Sequence, residues 1–397
     1  MNKIEKLLNE LCPNGVEFKS LGEVCEYIRG VTYAKNQEIQ DLDDGIKILR
    51  ANNITLNNVL DLRDLKVIHK NVKIKNTQFL KRQDILICAG SGSKEHIGKI
   101  AFIDRDMDFA FGGFMGVIRS KKINSRFLFF YLSSEYFRVF LKKELESSTI
   151  NNLNSALINK FQIPIPPLEI QEEIVKILDA FTELEAELEA ELEARRRQYE
   201  YYRNKLLSFE YLKTNGGGYE LKMLGEVCEI YDKLRKPVAK DKRVKGDYPY
   251  YGANGIQDYV NNYLFEGEYL LIGEDGSVIN KDNSPVLHFV NGKFWVNNHA
   301  HIIQSKNHNL RFIYYALQCC NIFDLVKGTP PKLNQENLKI IQIPIPPLAT
   351  QEKIVNILDQ FHALTTDLQS GIPAEIEARK KQYEYYRNQL LTFKEAI

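Results

Sequence analysis

A long sequence repeat constrains this chain more than any other feature. The segment FQIPIPPLEIQEEIVKILDAF at 161–181 returns as IQIPIPPLATQEKIVNILDQF at 341–361. Two shorter blocks, LGEVCE and QYEYYRN, accompany it in the same order in both copies. A repeat of this size predicts two similar bodies on one chain. The shorter blocks lie at 21–26, 224–229, 198–204 and 382–388.

The stretches between the repeated blocks are different in the two copies. The helical blocks match closely, whereas the intervening stretches align only at their ends. A shared scaffold that carries two different globular parts is typical of a protein with two readers, and it indicates a target in two parts. The alternative is a duplication whose copies diverged without functional consequence.

Composition argues against several classes of protein. No apolar run reaches the ~18 residues that a membrane-spanning helix needs. The N-terminal sequence MNKIEKLLNELCPNG is too polar for a signal peptide, so a cytoplasmic protein is expected. The cysteines form no CxxC pair, so zinc-knuckle spacing is absent and reduced thiols are expected. They are Cys12, Cys25, Cys88, Cys228, Cys319 and Cys320.

Charge is distributed unevenly, although the net charge is only +1. Residues 1–165 carry 25 basic and 19 acidic side chains, and residues 213–345 carry 16 and 14. The helical segments are acidic on balance, with 6 basic and 12 acidic residues at 166–212 and with 6 and 7 at 346–397. Because phosphate attracts the first two segments and repels the others, a nucleic acid would contact the globular parts.

Two long helices are expected after the IPIPPL blocks. From 169 to 209 there is no Gly or Pro, and an apolar stripe recurs at helical spacing. The stripe continues through three ELEA units at 183–194. A helix of this length needs a partner, and the second copy from 349 to 395 is the obvious candidate, packed antiparallel. The sequence SGIP at 370–373 predicts a break in that second helix.

The globular stretches are expected to be mixed α/β with short strands. DILICAG at 84–90 and EYLLIG at 268–273 are examples, and Gly and Asn cluster between such runs. The predicted fold class is α+β: two mixed α/β domains joined by two long antiparallel coiled-coil helices, with an internal pseudo-twofold repeat. The ends of the chain are expected to lie together. The predicted boundaries are 1–165, 166–212, 213–345 and 346–397.

The sequence shows no convincing catalytic motif. A DNA amino-methyltransferase needs an (Asp/Asn)-Pro-Pro-aromatic loop, but the Pro-Pro pairs are Ile-Pro-Pro-Leu, twice, and Thr-Pro-Pro-Lys at 329–332. The nearest match to a phosphate-binding loop, at 92–100, has one residue too many and lacks the hydroxyl. Asn-His-Ala-His at 298–301 has metal-like spacing without an evident third ligand, so structural histidines are expected. No catalytic residue, metal site or cofactor is predicted.

Several segments suit contact with DNA. KLRKPVAKDKRVK at 233–245 is strongly basic, although a solvated surface loop is the alternative. GSGSKEHIGK at 90–99 offers backbone NH groups and hydroxyls. ILRANNITLNN at 48–58 places an arginine, which suits guanine, beside two asparagines, which suit adenine or else form turns. The candidate DNA-binding residues are Tyr33, Arg50, Asn52, Asn53, Ser91, Ser93, Lys94, His96, Lys233, Arg235, Lys236, Lys242, Arg243, Lys245, Asn254 and Lys332.

The repeated blocks resemble the specificity subunits of type I restriction–modification systems. The resemblance is carried by IPIPPLxxQExIVxILDxF from Ile163 and from Ile343, by the two QYEYYRN blocks, and by LGEV at Leu21 and Leu224. YPYYGANGIQDYV at 248–260 is similar to an element of that family's recognition domains. The match covers essentially the whole chain.

The resemblance implies a subunit that performs no chemistry itself. It implies two target-recognition domains, each reading half of a bipartite site in the major groove of double-stranded DNA. Two antiparallel helices would set the spacer and dock two methyltransferase subunits, and motor-nuclease subunits would join for restriction. No cofactor and no membrane are implied. Because the recognition stretches vary within such a family, no base-contacting residue is carried over.

Three other functions stay open at this stage. A specificity subunit that serves a fused methyltransferase–nuclease would copurify with one kind of partner instead of two. A coiled-coil scaffold with no role on DNA would give no gel shift together with a methyltransferase. A stand-alone DNA enzyme is disfavoured by the missing motifs, and a methyl-transfer assay on the isolated chain tests it.

Overall fold

The chain divides into two compact units, and each contains one globular α/β body with its share of the long helices. Residues up to Glu187 together with those from Ile376 onward form the first unit, and Leu188–Glu375 form the second. Within the described ranges, no helix is both long and apolar enough to cross a membrane. The computed structural model describes residues 2–41, 44–146, 152–367 and 370–396.

Helices begin at capping residues that the sequence repeats. Asn124 and Asn309 cap two equivalent helices by accepting hydrogen bonds from the amides of Phe127 and Phe312, at 3.1 and 3.0 Å. Along the described chain the helices are α1 (Asn2–Leu11), α2 (Leu21–Val24), α3 (Ser125–Leu132), α4 (Glu135–Glu146), α5 (Ser155–Ile158), α6 (Leu168–Leu206), α7 (Phe209–Thr214), α8 (Leu224–Val227), α9 (Leu310–Leu317), α10 (Gln335–Lys339), α11 (Leu348–Thr366) and α12 (Ile372–Leu390).

The most apolar strands form the buried centre of each body. All four residues of Ile85–Cys88 are buried, because both faces of this strand are covered. The strands are β1 (Phe18–Ser20), β2 (Cys25–Arg29), β3 (Glu38–Ile39), β4 (Gly45–Leu49), β5 (Lys66–His69), β6 (Ile85–Cys88), β7 (Ile100–Phe102), β8 (Phe109–Phe111), β9 (Met115–Ser120), β10 (Gln162–Pro164), β11 (Glu220–Met223), β12 (Cys228–Ile230), β13 (Lys245–Gly252), β14 (Gly255–Val260), β15 (Phe265–Glu266), β16 (Tyr269–Gly273), β17 (Leu287–Val290), β18 (Lys293–Val296), β19 (Ala300–Ser305) and β20 (Gln342–Ile345).

The two bodies share a sheet topology that the sequence repeat alone does not reveal. One antiparallel sheet has the order β2-β9-β6-β7 in the first unit and β12-β19-β16-β17 in the second. A second sheet contains one parallel pair in each unit, β4 with β8 and β13 with β18. A short antiparallel ladder, β1 with β10 or β11 with β20, leads into the long helix. The predicted α+β class and the internal repeat are therefore confirmed.

The long helices have the predicted form. α6 runs for 39 residues without interruption, which corresponds to about 58 Å at 1.5 Å per residue. Its twin is divided into α11, which ends at Thr366, and α12, which begins at Ile372. Gly371 and Pro373 lie at this junction, and proline is tolerated there because it falls in the first turn of α12.

Aromatic and charged pairs join α6 to a partner helix in each unit. In the first unit Phe181 stacks on Tyr386 with ring centroids 5.5 Å apart, and Glu185 pairs with Lys380 at 3.2 Å. Residue numbers rise along α6 while they fall along α12, so this pair is antiparallel as predicted. In the second unit Tyr202 of α6 stacks on a phenylalanine of α11 at 5.4 Å.

A buried glutamine explains the PPLxxQ part of the repeated motif. The side-chain oxygen of Gln171 accepts a hydrogen bond from the Asn124 amide at 2.8 Å, and its amide donates to the Pro166 carbonyl at 2.7 Å. In the second unit Gln351 makes both contacts again, at 3.0 Å to the Asn309 amide and 2.8 Å to a proline carbonyl. Each glutamine therefore ties the start of a long helix to the cap of α3 or α9.

An arginine–aspartate pair explains the ILDxF part of the motif. Arg126 on α3 donates to Asp179 on α6 at 2.7 Å, and Arg311 on α9 donates to Asp359 on α11 at the same distance. Each guanidinium also lies over three aromatic rings, with centroid distances between 4.6 and 5.4 Å. The pair therefore fixes a second point, two helical turns along, where body and helix meet.

The segments near the two ends of the chain pair with each other. The Val16 amide donates to the Lys394 carbonyl at 2.8 Å, and the Ala396 amide donates back to Val16 at 3.0 Å. Gly15 has φ +106, and a side chain at that position would meet the backbone of Glu395 at 2.8 Å. The prediction that the chain closes on itself is confirmed by these contacts.

The glutamine joint gives a stability prediction. We expect Gln351→Leu to lower the free energy of unfolding of the second unit by about 1–3 kcal/mol, because a buried amide and a buried carbonyl lose their partner. Trp295 is the only tryptophan and lies in this unit, so its fluorescence during denaturant unfolding reports the change. Gln342 is exposed, and Gln342→Leu is the matched control. Equal midpoints for both variants would contradict the joint.

Candidate nucleic-acid interface

A cleft of about 1280 Å³ in the first unit brings together residues that the sequence places far apart. The loops that follow β4, β6 and β8 line it, because these strands end at the same side of the body. Five of the predicted DNA-binding residues lie in its wall. They are Tyr33, Arg50, Asn52, Ser91 and His96.

Two buried polar atoms in the cleft wall have no hydrogen-bond partner among the described residues. They are Nε of Arg50 and Nδ1 of His96. Buried polar atoms are nearly always paired in folded proteins, and an unpaired one costs free energy. The side chains of Arg50 and His96 therefore each hold an unsatisfied donor or acceptor beneath the surface of the cleft.

Asn53 is a correction to the predicted set. Its side chain is buried, with 1% of its surface exposed. It accepts a hydrogen bond from the Arg50 amide at 2.8 Å and donates to the carbonyls of Asp61 and Asp64 at 2.8 and 2.9 Å. All of its hydrogen-bonding groups are used to shape the turn, so the turn-forming role holds and a base contact does not.

Asp64 holds the half-buried Arg50 and the exposed Asn52 together. Its carboxylate accepts from Arg50 at 3.0 Å and from Asn52 at 2.5 Å. Asp64 is itself largely exposed, with 68% of its side chain accessible, so both contacts can exchange with a ligand. The carboxylate thus keeps a guanidinium and an amide side by side at the mouth of the cleft.

Lys99 is a functional candidate that the sequence analysis missed. Its ammonium group is buried and donates to the Ala51 carbonyl at 2.8 Å and to the Ile54 carbonyl. Burial lowers the pKa of this lysine. The structure turns the ammonium inward, where it braces the turn that carries Asn52.

Local hydrogen bonds hold two of the five wall residues. The Tyr33 hydroxyl donates to Glu38 at 3.4 Å, and the Ser91 hydroxyl accepts from the Ser93 amide at 3.3 Å. The side chain of Lys94 lies outside the part that the structure describes. Phe114, which the sequence analysis also missed, lines the cleft with 71% of its surface exposed.

Two arginines of the basic segment in the second unit stabilise the fold. Arg235 has only 12% of its side chain exposed and pairs with Glu274 at 2.5 Å. Arg243 lies over the Tyr250 ring at 4.2 Å and donates to the Val238 carbonyl at 3.0 Å. The expectation of a freely exposed basic loop is therefore corrected for these two residues, because their guanidinium groups are occupied within the domain.

The remaining predicted residues of the second unit are exposed. Trp295 donates a hydrogen bond to the Lys236 carbonyl at 2.7 Å, and the Tyr250 hydroxyl accepts one from the Val238 amide at 2.9 Å. These two bonds hold the basic segment against the sheet. This anchoring directs the lysines of the segment outward. The exposed candidates are Lys233, Lys236, Lys242, Lys245, Asn254 and Lys332.

A buried polar cluster anchors the loop before α10. Ligand-type atoms of Asp232, Glu274 and His301 lie within 4.8 Å of one another, which is a spacing that a metal ion could use. However, Arg235 and Lys332 already approach Glu274 at 2.5 and 3.4 Å, so the carboxylates are balanced by protein cations. The arrangement has the composition of an ion-pair network.

His301 is held at both ring nitrogens. Nδ1 lies 2.6 Å from Asp232 and Nε2 lies 2.8 Å from the Leu333 carbonyl. Burial alone would raise the pKa of Asp232, but the hydrogen bond and charge of His301 and the charge of Arg235 lower it. Both ring nitrogens of His301 therefore have partners within the body, and the Nε2 contact holds the segment that contains Lys332 and Leu333.

Comparison with known proteins identifies the family. The chain matches the type I restriction modification DNA specificity domain over residues 13–194 and again over 217–378. It therefore belongs to this family and is a specificity subunit of the type I restriction–modification class. Each of the two matched regions contains one copy of the LGEVCE and IPIPPL blocks and one copy of the repeated sheet topology.

Several curated relatives carry the same assignment. A Haemophilus influenzae protein named as a type I restriction enzyme specificity subunit is 46% identical over 186 residues, 45% of this chain and 48% of its own. The match thus spans about half of that relative. A Mycoplasma pneumoniae protein named as a type I specificity subunit is 35% identical over 248 residues, 59% of this chain and 98% of its own. The Escherichia coli EcoR124I/EcoR124II specificity subunit is 33% identical over 261 residues, which are 59% of this chain and 63% of its own.

Solved structures show the same fold over the whole length. An S subunit of a type I system from M. genitalium aligns with a TM-score of 0.55 at 15% identity, covering 95% of each chain. A chain from a study of complex assembly and conformational transition of the type I system aligns with a TM-score of 0.60 at 18% identity, covering 96% of this chain and 98% of that one.

His288 gives a pH prediction for the second unit. Burial lowers the pKa of His288, whereas an unfolded histidine titrates near 6.5. As pH falls below about 6.5 the unfolded state takes up a proton that the folded state refuses, so stability is lost on acidification. We expect His288→Gln to remove up to ~1.4 kcal/mol per pH unit of this loss.

The measurement is the free energy of unfolding, followed by Trp295 fluorescence at pH 7.5 and 5.5. The pKa values of His308 and His362 in the same unit are also lowered by burial, so a reduced slope should persist in the variant. His69→Gln, an exposed site in the first unit, is the control. Parallel pH dependences for wild type and His288→Gln would contradict the expectation.

Proposed function

We propose that this chain directs a type I complex to a bipartite DNA site. Residues 1–165 and 213–345 each read one half-site in the major groove of double-stranded DNA. Residues 166–212 and 346–397 set the distance between the half-sites and dock two methyltransferase subunits, and motor-nuclease subunits join for restriction. The proposal rests mainly on one observation. The two bodies have the same sheet topology and are attached to their helices by equivalent contacts, but their exposed residues differ.

Charge on the exposed surfaces supports DNA as the ligand of the bodies. The second body exposes a row of lysines along a segment that Trp295 and Tyr250 hold in place. The first body instead offers the cleft with Arg50 and Asn52 at its mouth. Lysines contact phosphate without regard to sequence, whereas arginine and asparagine can read base edges. The two bodies therefore offer both the sequence-independent and the sequence-specific contacts that specific binding to DNA needs.

Repeated exposed residues on the helices support two copies of one partner. Tyr201 and Tyr385 occupy the same position in the QYEYYRN blocks, and 58% and 59% of their surfaces are exposed. The preceding Glu200 and Glu384 are exposed as well. Each unit therefore displays the same aromatic and acidic pair, which fits a single kind of methyltransferase subunit bound twice.

The spacer role gives a prediction for the ELEA units at 183–194. Their leucines are half-buried, and five of their six glutamates are exposed and would be repelled by phosphate. One added unit lengthens the helix by about 6 Å and turns it by roughly 40° beyond a full turn. A DNA base pair advances about 3.4 Å and turns about 35°. We expect one added unit to keep both half-sites and to lengthen the spacer by one base pair, or less often two, and deletion to shorten it likewise.

Methylated sites are mapped in cells that express the methyltransferase with two, three or four units. A variant with one ELEA changed to QLQA keeps the length and changes the charge, so its spacer should equal that of the parent. The chain without a methyltransferase should give no methylation, because it lacks a catalytic loop. A constant spacer across an active series would rule out the helices as the ruler.

A further inference from the structure

The two bodies carry the same small turn at the same place in the fold. Arg50-Ala51-Asn52-Asn53-Ile54 follows β4, and Gly252-Ala253-Asn254-Gly255-Ile256 ends β13 and begins β14. β4 and β13 are the strands that pair in parallel with β8 and β18. The match spans bodies whose sequences otherwise align poorly.

Hydrogen bonding shows that alanine and asparagine are the two central residues of each turn. In the first body the Asn53 amide donates to the Arg50 carbonyl at 2.9 Å. In the second body Gly252 pairs with Gly255 across the hairpin. The residue after the asparagine is buried in both cases, whereas Asn52 and Asn254 are exposed. The turn thus presents one amide side chain outward from each body.

A side chain in or directly before the corresponding edge strand braces each turn at the carbonyl oxygen of its alanine. Lys99, immediately before β7, donates to the Ala51 carbonyl at 2.8 Å. His288, within β17, lies 3.2 Å from the Ala253 carbonyl through Nε2, which must donate because the carbonyl only accepts. β7 and β17 occupy the same end position in their sheets. Different residues therefore supply the same brace in the two bodies.

An exposed asparagine amide on a braced turn has a defined ligand chemistry. Its oxygen and nitrogen together match the N6 donor and N7 acceptor of adenine in the major groove. In the first body Asn52 already lies beside Arg50, whose Nε is buried and unpartnered in the cleft wall. A base edge at this place would find an amide and a guanidinium side by side.

We propose that Asn52 and Asn254 are equivalent base-reading residues, each recognising an adenine edge in its half-site, and that Lys99 and His288 are positioning residues that hold the two turns. The proposal rests on the proposed function and adds to it the residues and the base class. Specificity would then depend on one shared turn, with the surrounding loops supplying the differences between half-sites.

The test uses the full chain in complex with its methyltransferase. Methylation rates are measured on duplexes that carry the mapped site with single base-pair changes. Asn52→Ala should lose about fivefold or more of the discrimination at one A·T position in one half-site, and Asn254→Ala should do so at one position in the other. Asn57→Ala and Asn291→Ala, at exposed asparagines outside the turns, should leave discrimination unchanged.

The positioning residues are tested by paired variants. Lys99→Met and His288→Phe should reproduce the loss at the position read by the asparagine of the same body, without altering the other half-site. Lys99→Arg and His288→Gln retain a donor and should restore at least part of the discrimination. A purely structural role would lower stability or rate on every duplex alike.

The possible outcomes separate this proposal from the function on which it rests. If the wild-type complex shows no bipartite site, the proposed function fails. If the site is bipartite but both asparagine variants keep full discrimination, the base-reading turn is refuted. If the asparagine variants relax one position each while Lys99→Met and His288→Phe do not, the bracing role is refuted. If Lys99→Met and His288→Phe unfold, the variants Asn52→Ala and Asn254→Ala still test whether the two turns read bases.

Discussion

The hydrogen bonds of one buried glutamine in each unit determine how a reader is attached to its helix. Gln171 and Gln351 satisfy a capping-residue amide on the body and a proline carbonyl at the helix start with one side chain. Leaving those groups unpaired in the interior would cost free energy. The arginine–aspartate pair further along each helix adds a second fixed point, so a body cannot rotate about the glutamine alone.

This attachment separates two tasks within the chain. The joint and the exposed residues of the QYEYYRN blocks recur in both copies. In the first unit, the loops that line the cleft contribute no residue to these two contacts. The first body has a cleft lined by Arg50 and Asn52, and the second has a lysine-bearing segment that Trp295 holds in place. A change in one of these cleft loops therefore replaces none of the residues that attach the body to its helix.

The sequence predicted the parts of the structure that depend on local pattern. The uninterrupted α6, the break before α12 and the closed ends follow from periodicity, from Gly and Pro, and from the order of the repeat. The cleft was anticipated only in pieces, through Arg50, Asn52 and Ser91, because it forms where the ends of nonadjacent strands meet. Whether these residues contact DNA is still a proposal.

Tertiary contacts explain where the residue predictions went wrong. Asn53, Arg235 and Arg243 have the composition of contact residues, but each is occupied by carbonyls, carboxylates or rings of its own domain. Lys99 was missed because no feature of the sequence around it indicates that its ammonium group faces inward, toward carbonyls of a distant loop. The equivalence of the two turns became visible only when the strands could be matched by topology.

The central claim is that each body reads its own half-site on a common scaffold. Exchange of residues 22–148 for the equivalent part of another specificity subunit, followed by genome-wide mapping of methylated sites, tests it most directly. Gln171, Asp179 and the whole of α6 stay in place in this exchange, and the incoming part supplies the equivalents of Asn124 and Arg126. One half-site should acquire a new sequence, and the other half-site and the spacer should stay unchanged. A simultaneous change in both half-sites would contradict it.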